Sequence, residues 1–338
     1  MVKFDDNQFE IAIVTYKRHE YIESWLERCY QSALERNIMI SIYDSSPNDE
    51  TLKVVEKFNI DKDVKVAYHR VDERTLIGYK PMIPILNTTA EFLWVSGDSR
   101  FHNFRELDDK IFVHIKDRKI DYVVINTDNN YQLPDIVYCD KSDMIHDTFV
   151  PSTCIGLSIY RVSIFNVLKS NPELMHTCDQ LFKKNYGFGW LGYFYQVYAC
   201  GEYKTLLVNV ETLSVLKKKK KQAWAVRFYG CWVDDLCQII ENIPNVYAGK
   251  NDIPRNTWKV MKLENFCYGY LARKYGDLNA DKYEKMVSSR IIDRITGNPC
   301  RIKFYATAPM WMIDCVYYCY KVMSMPIRLI KKIIFQKE

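Results

Sequence analysis

Glu91-Phe-Leu-Trp-Val-Ser-Gly-Asp-Ser-Arg100 decides how this chain folds. Phe92, Leu93, Trp94 and Val95 form a short apolar run that stops abruptly at Ser96-Gly97-Asp98. That is the pattern of a strand buried on both faces and delivering one carboxylate into a crevice. In open α/β sheets, ligands collect at such strand ends.

Upstream, Phe9 to Tyr16 is a second apolar run, followed by Lys17-Arg18 and then by Tyr21, Ile22, Trp25, Leu26, Cys29 and Ala33 at helical spacing. Ile38 to Tyr43 predicts another strand, closed by the turn cluster Asp44-Ser45-Ser46-Pro47-Asn48-Asp49. A helix from about Glu50 to Phe58, a strand at Val64 to His69 and an irregular segment from Asp72 to Pro84 lead back to the quoted stretch. This alternation predicts an α/β fold with a mostly parallel sheet and helices on both faces. Downstream the reading gives a helix near Leu107 to Lys116 and a strand at Tyr122 to Asn126. An irregular polar loop from Asp128 to Asp147 and a strand at Thr153 to Tyr160, with Gly156 at a close-packed place, follow.

The chain has 338 residues, 48% hydrophobic and 26% charged, which suits a full-sized core plus an appendage and excludes a disordered or fibrous protein. The excess of 47 Lys and Arg over 42 Asp and Glu is too small to argue for a nucleic-acid partner. Eleven cysteines are dispersed, with no CxxC pair and no zinc-finger spacing. With a polar, acidic start, Met-Val-Lys-Phe-Asp-Asp, this pattern leads us to expect reduced thiols and a cytoplasmic protein.

Three pieces, taken in order, resemble the signature of family 2 glycosyltransferases with the GT-A fold: Ile-Ala-Ile-Val-Thr-Tyr-Lys-Arg, Ile-Tyr-Asp-Ser-Ser-Pro-Asn-Asp-Glu-Thr and Phe-Leu-Trp-Val-Ser-Gly-Asp-Ser. The resemblance covers residues 9 to 215 and implies a nucleotide-sugar donor, UDP-linked as the preferred reading. It implies that Thr15 and Tyr16 line the base and ribose pocket, that Arg18 belongs to the same donor site, and that Asp44 hydrogen-bonds the nucleotide. Asp44 also reads as a turn former that caps the next helix. Lys80, between Gly78 and Pro81, is a candidate cation for the diphosphate, ahead of Arg70 and Arg74, although a lone loop lysine also reads as solvated.

At the chemical centre the chain departs from the family. An Asp-x-Asp metal pair is replaced by Ser96-Gly97-Asp98-Ser99-Arg100, with one carboxylate. The resemblance implies Mn²⁺ or Mg²⁺ on Asp98, and Arg100 pairing directly with the diphosphate is the alternative. The family's Glu-Asp pair, whose Asp serves as base, falls near Gly189-Trp190, where no acid stands. Asp179 and then Asp147 are the candidate bases; an inverting transfer is preferred and a retaining one stays open. Trp190 and Tyr193, on an expected glycine-flexed turn, are candidates for stacking an acceptor sugar, against an ordinary core role.

The division expected is 1–215 for the donor and acceptor domain, 216–303 for a helical region and 304–338 for an amphipathic tail. Leu216 to Lys221 is a basic block, read either as solvated loop or as a contact with anionic lipid. Ala306 to Met325 is apolar yet contains Asp314 and Lys321, which disfavours a span, and Ile327 to Phe335 alternates bulky and basic residues as interfacial helices do. Packing against the catalytic domain or a second subunit is the other reading, so a homo- or hetero-oligomer stays open. The expectation is thus a peripheral enzyme at the inner membrane face that serves a lipid-linked or growing glycan acceptor. A catalytically silent partner of another transferase is the rival. A nucleotidyltransferase lacks the glycine-rich triphosphate loop it would need.

Overall fold

The computed structural model describes residues 1–127, 132–214, 227–261, 266–320 and 322. These fall into two compact units, one within Met1–Lys219 and Ile239–Lys250, the other within Lys220–Gln238 and Asn251–Glu338.

The first unit is built on an eight-stranded sheet. Its strands are β1 (Phe9–Thr15), β2 (Met39–Asp44), β3 (Ala67–Arg70), β4 (Phe92–Gly97), β6 (Tyr122–Thr127), β7 (Ile136–Tyr138), β8 (Ser158–Arg161) and β9 (Thr205–Val210), in the order β3-β2-β1-β4-β8-β6-β9-β7. A separate two-stranded ribbon pairs β5 (Arg100–His102) with β10 (Thr212–Ser214). β3, β2, β1 and β4 run parallel, whereas β8 lies antiparallel between β4 and β6. All seven residues of β1 are buried, as a strand covered on both faces requires, with Glu10 paired to Ser41 and Thr88. α1 (His19–Leu34) lays Ile22, Trp25, Leu26, Cys29 and Ala33 against this core, and α2 (Glu50–Lys62) packs beside it.

Several expected boundaries move. The irregular segment before β4 ends in a short helix, α3 (Met82–Asn87). The expected helix near residue 107 has α-helical ends, α4 (Phe104–Leu107) and α5 (Val113–Lys116), around the π-helical Asp108–Phe112. Of the polar loop expected from Asp128 to Asp147, residues 128–131 lie outside the described residues, and the remainder carries β7 and the first part of α6 (Lys141–Ser152). Asp140 accepts the Ser142 and Asp143 N–H groups and so caps α6, while Met144, Ile145, Thr148 and Phe149 form its buried stripe. Residues 153–156 make a turn, and the strand begins only at Ser158. After α7 (Asn166–Ser170) comes α8 (Pro172–Phe182), opened by the Asn171 cap and Pro172. The expected glycine-flexed turn at 188–193 is the start of a helix, α9 (Gly189–Tyr198). Residues 239–250 dock on α9: Gln196 donates to the Asn242 carbonyl at 2.6 Å and the Tyr247 hydroxyl to the Tyr195 carbonyl at 2.8 Å.

α10 (Leu236–Asn242) crosses the boundary between the units, and the second unit is helical, with α11 (Ile253–Val260), α12 (Phe266–Lys274), α13 (Ala280–Ser288), α14 (Ile291–Ile295) and α15 (Pro299–Thr307). Its core includes Phe228, Trp258, Met286, Ile295, Tyr305 and Ile313. α15 runs through the boundary expected at 304, and Tyr305, Ala306 and Ile313 are core residues. The expected boundary at 215, the basic block 216–221 and the stretch 327–335 lie outside the described residues. Among the described residues no helix is long and apolar enough to cross a membrane.

Candidate functional site

The chain passes from β1 to β2 and β3 on one side and then returns to place β4 on the other side of β1. The topological switch point thus falls between β1 and β4, and the carboxyl ends of these strands border a crevice. Parallel register aligns the last residues there: Thr15 lies opposite Asp44, Asp44 opposite Arg70, and Val14 opposite Gly97, one step before Asp98. Asp98, Thr15, Asp44 and Arg70 consequently form one row across four strand ends.

Asp98 is buried, and both of its oxygens are engaged. Thr15 Oγ1 donates to Oδ2 at 2.7 Å, and the Arg18 guanidinium reaches Oδ1 at 2.8 Å. Burial pushes the Asp98 carboxyl above its ordinary value, with the Arg18 charge and the Thr15 hydroxyl holding it back. The β1–α1 turn makes this pairing possible. Lys17 has φ +53°, and its N–H donates to Ser46 Oγ at 2.7 Å, so the chain reverses and Arg18, at the N-cap of α1, faces Asp98. The end of β4 is fixed from behind by Gly156, at φ +100°, where an added Cβ would stand 3.2 Å from the Gly97 nitrogen. Trp94 Nε1 donates to the Gly156 carbonyl at 2.9 Å, so the sequence reading of Gly156 as a close-packed place agrees with the structure.

Asp44 is fully buried. Its Oδ1 accepts the Ser46 N–H at 2.8 Å and the Ser46 hydroxyl at 2.5 Å, and its Oδ2 accepts the Tyr68 hydroxyl at 3.0 Å. Burial and the Asp44 charge raise the Tyr68 phenol, which keeps it a donor. Arg70 extends over the Ser46 and Asn48 carbonyls to Asp49. Asp44 therefore organises the β2 turn from within. Arg74 pairs with Asp72 on the surface.

Lys80 closes the row from above. Its ammonium donates to Ser45 Oγ and lies 4.8 Å from the centre of the Tyr16 ring, whose residue is 44% exposed and forms the outer wall. Burial lowers the Lys80 ammonium, opposed by the charges of Asp44 and Asp98. Among the described residues Lys80 forms no ion pair; its neighbours within contact are a hydroxyl and an aromatic face. The loop that presents it is clamped by backbone. The Trp190 N–H donates to the Gly78 carbonyl at 2.7 Å, and a Cβ on Gly78 would meet the Asn185 oxygen at 2.3 Å. Only glycine permits that approach.

Asp179 stands on the same flank. It accepts the Tyr193 hydroxyl at 2.6 Å and pairs with Lys183 at 3.2 Å, and Lys183 in turn lies 5.1 Å from the centre of the Tyr79 ring. Asp147 lies elsewhere: it accepts the Tyr138 hydroxyl on β7, the edge strand four steps from β4. Trp190 and Tyr193 are 3% and 0% exposed, so neither offers an open ring face for stacking a sugar; both pack in the core around α9. Arg100 sits on β5 with no side-chain hydrogen bond or ion pair among the described residues. The fold unites Thr15, Tyr16, Arg18, Asp44, Lys80 and Asp98, and leaves Asp147 apart. The sequence reading overlooked Ser45, Ser46 and Tyr68; the serines were visible only as turn formers, and Tyr68 had no signal at all.

A divalent ion, which the resemblance implies, does not fit the donor set as it stands. The site offers one carboxylate, its oxygens already hold a hydroxyl and a guanidinium, and no group of three His, Cys, Asp or Glu side chains converges anywhere among the described residues. Asp98, expected as a metal ligand, pairs in this structure with Thr15 and Arg18.

No family model matches the chain, and no curated protein matches it. Among solved structures it is similar to S. aureus TarS 1–349 in complex with UDP-GlcNAc, with 14% identity over 88% of this chain and 87% of that chain and a TM-score of 0.52. It is also similar to the mannosyltransferase PcManGT from Pyrobaculum calidifontis in complex with GDP-Man and Mn²⁺, with 11% identity over 90% and 88% of the two chains, although a TM-score of 0.48 is too loose to bear on the argument. The first likeness shows the fold, which is GT-A-like.

Proposed function

We propose that the protein is a glycosyltransferase that moves a sugar from a nucleotide-diphosphate donor, UDP-linked, to a lipid-linked or growing glycan acceptor at a cytoplasmic membrane face. The observation that carries this reading is the row Asp98, Thr15, Asp44 and Arg70 at the switch-point crevice, with the Lys80 ammonium over it. The TarS structure that shares the fold is a complex with a UDP-sugar, which supports the donor class.

Tyr16, exposed at the crevice rim, supplies a ring edge for the base and ribose, and Lys80 and Arg18 face the diphosphate. As the glycosidic bond to the diphosphate breaks, negative charge grows on the leaving oxygen, and fixed cations in a half-buried site stabilise it without reorganising. Asp179 is favoured over Asp147 as base toward the acceptor hydroxyl, because it adjoins the Tyr79-Lys80 loop. Tyr193 holds the Asp179 carboxylate in place as a neutral donor, its phenol raised by burial and by that carboxylate.

The membrane part of the proposal rests on the helix at 310–320. Trp311, Met312, Cys315, Tyr318, Cys319 and Val322 are exposed and share one arc with no charged residue, while Asp314 turns inward and hydrogen-bonds Tyr270. The basic, apolar stretch 327–335 follows it in sequence.

UDP-sugar hydrolysis by the purified protein, followed as UDP release, tests the assignment: release that Asp98→Ala abolishes is expected. Binding of UDP with no release, on any sugar tried, favours the silent-partner reading, which the internal engagement of both Asp98 oxygens also suits.

A further inference from the structure

The nucleotide-sugar reading above leaves open how the donor's diphosphate charge is met, and the side chains at the crevice answer differently from what the resemblance implies. We infer that Lys80 and Arg18, and not a divalent ion, neutralise the diphosphate in this protein, and that Asp98 serves to position Arg18.

Three observations converge. First, Asp98 is spoken for: Thr15 and Arg18 occupy both oxygens at 2.7 and 2.8 Å, and a dication entering there would have to displace a guanidinium from a buried carboxylate. An ion with one protein carboxylate would depend on water and phosphate for all its other ligands. Second, the Arg18 side chain is 48% exposed although its carboxylate partner is 6% exposed, so the outer part of its fork is open to solvent. A planar guanidinium held on one side by a carboxylate keeps further N–H donors for phosphate oxygens. Third, Lys80 is a half-buried ammonium in no direct ion pair among the described residues, held by Ser45 Oγ and the Tyr16 ring, with the charges of Asp44 and Asp98 acting from beyond salt-bridge distance. Burial still outweighs those charges, so a closer anion such as a diphosphate is favoured there.

The clamp at Gly78 gives the same picture from the backbone. A Cβ on Gly78 would meet the Asn185 carbonyl and one on Gly189 the Phe182 carbonyl, so neither position tolerates one, which fixes where Tyr79 and Lys80 leave the loop. A metal needs no such fixed cation, whereas a lysine that stands in for one has to be held at the phosphate position before the donor arrives.

Titration calorimetry of UDP into the full-length protein, once in EDTA and once in excess Mn²⁺, tests this. The expected result is the same Kd in both to within about twofold, and a Lys80→Met variant, which keeps the stem on Tyr16, should bind about tenfold or more weakly in EDTA with its melting temperature retained. Lys80→Arg should recover part of the loss. UDP binding that appears only with Mn²⁺ overturns the inference and leaves the glycosyltransferase reading standing, as does a Lys80→Met protein that binds like the wild type. No UDP binding in either condition overturns both.

Discussion

Asp98 and Arg18 show how much a single pair decides in this molecule. Arg18→Ala would leave a buried carboxylate without its countercharge; since the guanidinium is half exposed, the expected loss is about 1–2 kcal/mol, below that of a fully buried pair. Urea unfolding measures it, and the double variant with Asp98→Asn should recover most of the loss. The pH dependence has a definite sign. The Asp98 carboxyl titrates higher in the folded protein than its ordinary 3.8, so between those two values the native state holds a proton that the unfolded chain has released. Stability from this group is present below 3.8 and is lost as pH rises through the folded value. The urea midpoint of wild type relative to Asp98→Asn should fall across that window. Asp108 behaves in the opposite way. There burial is outweighed by the two Arg36 bonds, at 2.9 and 2.7 Å, and by the Val2 N–H, so its carboxyl is lowered and its contribution disappears as pH falls below 3.8 through the folded value. Asp108→Asn should therefore cost stability at neutral pH and flatten the acid limb of the same measurement.

The elements that build the site are a parallel strand row, a turn in left-handed conformation and one clamped loop. The strand row was legible, because apolar runs that end in Thr15, Asp44 and Asp98 carry their own signal. The clamp was not legible: Gly78 and Gly189 are 111 positions apart, and nothing in either neighbourhood reveals that their backbones touch. Gly78→Ala puts a Cβ against a carbonyl oxygen that cannot swing aside, so a loss of about 1–3 kcal/mol is expected together with weakened UDP binding. Thermal melts and calorimetry on the same variant would check both. α6 was overlooked for a related reason: its polar residues look like loop, and the stripe of Met144, Ile145, Thr148 and Phe149 acquires meaning only against β6 and β7.

For the molecule as a whole, the exposed apolar arc on residues 310–322 is what the proposed membrane attachment requires. Trp311→Ser with Tyr318→Ser should release the full-length protein from vesicles rich in anionic lipid, as read by flotation. The melting temperature should stay within the small range of surface changes, because the two side chains are 67% and 59% exposed. Truncation after residue 303 is a different experiment, since it removes Tyr305, Ala306 and Ile313 from the second unit's core and should unfold that unit.

Local pattern alone determined the α/β class, the three strand ends that face the crevice and the lack of a second acid beside Asp98, because apolar runs and turn residues act over a few neighbours. Tertiary structure alone decided that Arg18 occupies Asp98, that Lys80 stands over the same row, that Asp179 adjoins Tyr193 and the loop carrying Tyr79 while Asp147 pairs with Tyr138 on β7, and that Trp190 and Tyr193 are core. These are contacts between residues tens of positions apart, set by strand order and backbone approach.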